Sequence, residues 1–200
     1  TATDIHGNTA TAAFKIVVTD DELPVISGTP TDIALSSEPG LFSAPATWTD
    51  ATAADNCAVD TFSADAASGD QFPVGTTTVP YTATDIHGNT ATSSFTVTVS
   101  DIENPTIAGM PADIAIATAP GACTAIATWI EPTAADNCSV ASFTSSHASG
   151  DAFTAGVTTV TYTAVDPAGN SVSASFTVSV DDGVGPVFTF VPADITVPND

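Results

Sequence analysis

Val157–Val165 reads VTTVTYTAV and Ser171–Val180 reads SVSASFTVSV. In both runs apolar and polar residues alternate, and Val, Thr and Ser dominate. A period of two places one row of side chains on each face of an extended chain, and β-branched residues suit a pleated, half-buried surface. Each run therefore reads as a strand. Upstream, Ala122–Ile130 (ACTAIATWI) and Ser139–Ser146 (SVASFTSS) alternate in the same way, and shorter strands are expected within 106–118 and 150–154. Gly, Pro, Asn and Asp punctuate the gaps, and no stretch has helical periodicity with caps.

The pattern recurs. Thr1–Asn8 and Thr82–Asn89 both read TATDIHGN, an offset of 81 residues. The same offset relates Pro24, Pro105 and Pro186; Trp48 and Trp129; Asp55-Asn56-Cys57 and Asp136-Asn137-Cys138; and Tyr81 and Tyr162. Short strands at regular spacing with turn signals between them argue a sandwich of about seven strands. The expected fold is all-β: tandem immunoglobulin-like β-sandwich modules. The register divides the chain into residues 1–22, the C-terminal part of a preceding module; 23–103 and 104–184, two full modules; and 185–200, the start of a following one. Both ends fall within modules, so a longer parent protein is expected.

Charge narrows the function. Lys and Arg together number 1 against 23 Asp and Glu, for a net charge of −22. Lys15 is that single base. Such a surface repels nucleic acid and anionic lipid. Acid-driven disorder is excluded by the 43% hydrophobic content and its alternation. No apolar run approaches the ~18–20 residues that span a bilayer.

In an immunoglobulin-like sandwich the strands 122–130, 139–146, 157–165 and 171–180 take positions B, C, F and G. The B–C and F–G loops then share one end with the incoming linker. For the second full module this gathers Asp101 and Glu103 of the linker, Asp136 and Asp166. For the first it gathers Asp20, Asp21 and Glu22, then Asp55 and Asp85. Carboxylates this close repel unless a cation sits among them. Ca2+ suits such oxygen donors, whereas zinc prefers Cys and His, which are scarce here. Turn chemistry is the competing reading, since Asp and Asn hydrogen-bond their own backbone in turns. After the second full module, Asp181 and Asp182 are followed by Gly183 and Gly185, a poorer set.

The stretch Gly69–Pro105, GDQFPVGTTTVPYTATDIHGNTATSSFTVTVSDIENP, closely resembles the HYR (hyalin repeat) module, and Trp129–Cys138, WIEPTAADNC, resembles the same family's mid-module motif. The resemblance implies an immunoglobulin-like fold, an extracellular or cell-surface location and a role in adhesion, often in bacterial surface proteins, with no catalytic residues. Bacterial modules of this type often carry a Cys at the start of strand B and another in the DNC motif, and an extracellular setting favours their oxidation. A Cys123–Cys138 disulfide is expected on that ground, although strand B must then fold back to bring its ends together. The first module has Phe42 in place of Cys123, so Cys57 is left alone, either as a buried small hydrophobe, the favoured reading, or as a free thiol.

No nucleophile elbow, HExxH, P-loop or GxGxxG occurs, and the turn histidines His6 and His87 give way to Ala168 in the third copy. An enzyme is not expected. Trp48 and Trp129 recur with the module and read as core, as do Tyr81, Tyr162, Phe72, Phe153, Phe95 and Phe176. The expected function is a calcium-stiffened stalk or extracellular filament; the alternative is that the modules themselves bind glycan or protein. Partners are accordingly neighbouring copies of the array, or extracellular protein or glycan.

Overall fold

A computed structural model describes residues 1–183, 185 and 188–197. The expected boundary at 184 and the repeated Pro186 lie outside the described residues. Among the described residues there are strands and no helix, and hence no helix long and apolar enough to cross a membrane. The chain divides into two compact units, Thr1–Leu35 with Ser43–Val99, and Ser36–Phe42 with Ser100–Asp200.

The first unit opens with a hairpin of β1 (Ala2–Thr3) and β2 (Thr9–Ala10). There follow β3 (Val25–Ser27), β4 (Ile33–Ser36), β5 (Ser43–Pro45), β6 (Thr52–Ala54), β7 (Val59–Ala64), β8 (Gln71–Pro73), β9 (Gly75–Asp85) and β10 (Thr90–Ser100). One sheet has the order β4-β10-β9-β7; facing it, β3 pairs with β6 and β5 with β8. The alternation of β9 and β10 decides what is inside. Val79, Tyr81 and Ala83 point inward from one strand and Phe95, Val97 and Val99 from the other, each 2% exposed or less. Ala44, Ala46, Ala51 and Phe72 complete the core, and Trp48, half-buried, packs edge-on against Phe95 with ring centroids 5.1 Å apart. The outward rows carry hydroxyls that meet across the ladder, such as Thr76 with Thr98 at 3.1 Å.

The second unit repeats the plan with β11 (Thr106–Ala108), β12 (Ile114–Ala117), β13 (Thr124–Ile126), β14 (Thr133–Ala135), β15 (Ser142–Ser145), β16 (Ala152–Thr154), β17 (Gly156–Val165) and β18 (Ser171–Asp181). Its sheet runs β12-β18-β17-β15, with β12 parallel to β18 and the other pairs antiparallel. On the opposite face β11 pairs with β14 and β13 with β16. The core is Ala127, Phe153, Val160, Tyr162, Phe176, Val178 and Val180. This is the all-β, immunoglobulin-like sandwich in tandem copies that the alternation and the repeat led us to expect.

Strand B differs from expectation. Ala122–Ile130 is not one strand: β13 ends at Ile126, Ala127 still bonds through its main chain to Gly150 and Asp151, and the next strand, β14, begins at Thr133. Trp129 continues the inward row of Ala125 and Ala127, packs against Phe176 at 5.1 Å and 73°, and donates its indole N–H to the Tyr162 hydroxyl at 2.7 Å, while its main chain bonds to the Ser149 hydroxyl instead of a neighbouring strand.

The expected Cys123–Cys138 disulfide is not formed; both thiols are free. Cys123 precedes β13, while Cys138 follows β14, and the two strand pieces carry the chain from one end of the unit to the other. No fold-back brings their ends together. Cys57 is an exposed free thiol, the second of its two readings, and not the buried side chain that was favoured. It lies beyond β6 in a turn where its N–H donates to Asp55 Oδ2 at 2.8 Å, so its side chain is outside the inward rows.

Candidate metal centre

Period two also governs the polar residues. Along β9 the inward row runs Val79, Tyr81, Ala83 and then Asp85; along β17 it runs Val160, Tyr162, Ala164 and then Asp166, just past the strand. Each Asp is thus delivered, 2% exposed, to the rim of its core. An unpaired carboxylate there would be costly. The turn that follows supplies donors. Asp85 Oδ1 accepts the N–H groups of His87 and Asn89, both at 2.8 Å, and Oδ2 accepts the Asn89 amide at 2.7 Å. Asp166 does the same with Gly169, Asn170 and the Asn170 amide, and Asp4 repeats the turn with His6 and Asn8. Gly88 permits the turn, with φ +91°. Burial pushes the Asp85 carboxyl up, but the Asn89 side chain and the main-chain donors outweigh it and hold it below the ordinary carboxylate value; Asp166 behaves alike.

The same asparagines hold the linker. Asn170 Nδ2 reaches the Asp101 carbonyl oxygen at 3.2 Å, and Asn89 Nδ2 reaches that of Asp20 at 3.2 Å. With the linker fixed, its acid meets the turn after β14 or β6. In the second unit a carboxylate oxygen of Asp101, one of Asp136 and Cys138 Sγ lie within 4.8 Å of one another. In the first unit so do oxygens of Asp20, Asp55 and Asp85. Asp166 is joined to Asp101 through the Asn170 amide, and burial, followed by the Asp101 hydrogen bond and the charges of Asp101, Asp136 and Asp166, pushes the Cys138 thiol up to about 12.

Sequence placed nine acids at these ends. The structure groups Asp20, Asp55 and Asp85 in one unit and Asp101 and Asp136, with Asp166 alongside, in the other. Three stand apart. Asp21 is exposed; Glu22 accepts the Asn56 amide at 2.8 Å; Glu103 accepts the N–H of Gly40 at 2.6 Å. Sequence reasoning read Asn89 only as part of a turn with Asp85 and Gly88, and passed over Asn170, Cys57, Cys138 and His87 as participants. Every one of them belongs to the repeated DNC or Asp-x-x-Gly-Asn segments that had already been singled out.

Some oxygens lack donors. Asp55 Oδ1, Asp101 Oδ2, Asp136 Oδ1 and Asn137 Oδ1 are buried without a hydrogen-bond partner. Asp101 is only 7% exposed, and its Oδ1 is taken by Glu103 N–H at 3.1 Å. Turn chemistry accounts for Asp85 and Asp166 but not for these atoms. A carboxylate or amide oxygen is left bare in a fold only at appreciable cost. Hard divalent cations take such oxygens as ligands.

Residues 19–99 and 100–180 each match the family model described as the HYR domain. A Lytechinus variegatus protein named Hyalin is 40% identical over 205 residues, covering 98% of this chain and 39% of that protein. Hyalin of Strongylocentrotus purpuratus is 35% identical over 184 residues, 88% of this chain and 15% of that protein. The Sushi, von Willebrand factor type A, EGF and pentraxin domain-containing protein 1 of Rattus norvegicus is 39% identical over 163 residues, 78% of this chain and 4% of that protein. The chain thus spans well under half the length of these relatives. They are animal proteins and lend no support to a bacterial source. Among solved structures, Protocadherin Gamma C5 EC1-3 gives a TM-score of 0.35 at 14% identity, covering 80% of this chain and 68% of that one. Human Protocadherin-24 EC1-2 gives 0.32 at 15%, covering 80% and 99%.

Proposed function

Since this chain belongs to the HYR domain family, we propose that it serves outside the cell or at its surface as an adhesion-type repeat segment without enzymatic activity, its linkers fastened by calcium. The observation that carries the calcium reading is the set of buried oxygens without donors: Asp101 Oδ2, Asp136 Oδ1 and Asn137 Oδ1 in the second unit, and Asp55 Oδ1 in the first. Asp101 and Asp136, with Asp166 beside them, and Asp20, Asp55 and Asp85 are the acids that would hold the ion. Calcium accepts six to eight oxygens of mixed type, so carboxylates, the Asn137 amide and water together suit it. Bound there, it would neutralise the gathered charge and tie the linker to the turns of its own unit, stiffening the array as a stalk or filament. Neighbouring copies or extracellular protein or glycan are the partners such a segment would meet.

Calorimetric titration of the metal-free chain with calcium tests this. Saturable binding that is diminished by Asp101→Asn and by Asp136→Asn is expected. Absence of binding heat, or binding indifferent to both substitutions, rejects the calcium reading.

A further inference from the structure

The two clusters are equivalent by the repeat but unequal in donors. Asp20, Asp55, Cys57 and Asp85 of the first unit correspond to Asp101, Asp136, Cys138 and Asp166 of the second. His87 corresponds to Ala168, so only the first unit has an imidazole. The difference falls on one atom. In the second unit Asp101 Oδ2 is buried and bare; in the first, His87 Nδ1 stands 3.1 Å from Asp20 Oδ2. Cys57 joins them: a carboxylate oxygen of Asp20, Cys57 Sγ and a ring nitrogen of His87 are within 4.8 Å of one another. The Asp20 side chain is 9% exposed and the His87 ring 46%, so the group sits at the surface with its acid sunk beneath it. Asp55 Oδ1, buried and without a partner, belongs to the adjoining trio around the same Asp20.

We propose that Asp20, Cys57 and His87 form a site for a thiophilic divalent cation of the zinc class, so that the two units take different metals. Thiolate, imidazole and carboxylate are the donors zinc prefers, in sets of three or four, whereas calcium gains little from sulfur or nitrogen. Tetrahedral zinc holds nitrogen and oxygen ligands roughly 3.3 Å apart, given bond lengths near 2 Å. The observed 3.1 Å needs little adjustment. The exposed ring and the exposed thiol give the ion a way in, and a water or Asp55 completes the shell. The second unit, with a thiol but no imidazole and a bare carboxylate oxygen, stays with harder ions. The inference rests on the reading that these clusters hold cations.

Cadmium reports thiolate coordination directly through its ultraviolet charge-transfer band. The reduced, metal-free chain is titrated with cadmium, alone and in excess calcium, beside Cys57→Ser, His87→Ala and Cys138→Ser. Cys57 and His87 are exposed, so both variants leave the core intact. The expected result is a band saturating at one equivalent, bleached by zinc and resistant to calcium. It is lost in Cys57→Ser, weakened in affinity by at least about tenfold in His87→Ala, and unchanged in Cys138→Ser. No saturable band, a band that survives Cys57→Ser, or one that calcium removes overturns the proposal. A cadmium band without calcium-binding heat leaves this site standing and removes the calcium reading; calcium heat without the band does the reverse.

Discussion

Asn170 donates its side-chain amide to the main-chain oxygen of Asp101 at 3.2 Å, across 69 residues of sequence, while the same amide also serves Asp166 Oδ2 at 2.6 Å. One side chain therefore joins the turn after β17 to the segment that enters the unit. Asn89 repeats the arrangement with Asp20 and Asp85. The linker is thereby part of the fold, and its acid is carried to the turn after β14 or β6.

Replacing Asn170 by Ala removes both bonds and leaves a nearly buried carboxylate oxygen short of a donor. A loss of about 1–3 kcal/mol is expected from that imbalance. Urea denaturation reads the loss, and hydrogen exchange should show the amides of 101–103 opening faster than in the unaltered chain. Equal exchange in both proteins would mean that the linker is held by something else.

Tyr162 and Tyr81 occupy equivalent places yet should respond differently to loss of the hydroxyl. The Tyr162 hydroxyl accepts the Trp129 indole N–H and donates to Glu131. Trp48 has two acceptors, the Tyr81 hydroxyl at 3.0 Å and Asp50 Oδ1 at 2.9 Å. Tyr162→Phe orphans an indole donor, whereas Tyr81→Phe leaves Asp50 to take it. The first substitution should cost about 1–2 kcal/mol more than the second, measured by paired denaturation curves.

Trp129 packs against Phe153 and Phe176. Trp129→Ala should destabilise the chain by roughly 3 kcal/mol, the lower end for a large aromatic because the ring is only half-buried. A change below a few tenths would make it a surface residue in energetic terms.

The acid limb of the stability curve follows from the carboxylates held below their ordinary value. Besides Asp85 and Asp166, these are Asp20, favoured first by the Cys57 thiol, and Asp32 and Asp113, each accepting from the main chain and hydroxyl of Thr96 or Thr177. A depressed folded value means the stabilisation is whole above the unfolded pKa of about 3.9 and is lost as pH falls through the folded value. Melting temperature should therefore decline below about pH 4. Asp85→Asn and Asp166→Asn, which carry no charge to lose, should each flatten the decline.

Alternation and the repeat made the sandwich legible before any coordinates, because a period of two states which side faces in and an offset of 81 states it twice. The meeting of linker, B–C turn and F–G turn was legible for the same reason: Asp20, Asp55 and Asp85 do share one end. The break in strand B was not. Ala122–Ile130 reads as one run, and nothing in it shows that at Trp129 the main chain bonds to the Ser149 hydroxyl instead of a neighbouring strand. The expected disulfide failed with it, since pairing Cys123 to Cys138 required a reversal that two strand pieces in line do not make. Nor could sequence show that Glu22 and Glu103 turn to main-chain and amide donors, a matter of side-chain reach that spacing does not encode. The grouping of Cys57 and His87 with Asp20 was within reach of the repeat register, but scarcity of Cys and His in the composition concealed it.

Calcium binding turns most on the bare oxygens of Asp101 and Asp136. Thermal melting of the chain and of Asp101→Asn/Asp136→Asn, each in chelator and in calcium, addresses them directly. Calcium at one hundred times its dissociation constant should stabilise the unaltered chain by about 2.7 kcal/mol per occupied site. The double variant should resist chelator better than the unaltered chain and gain less from calcium. Identical melting of the unaltered chain in chelator and in calcium would contradict the account.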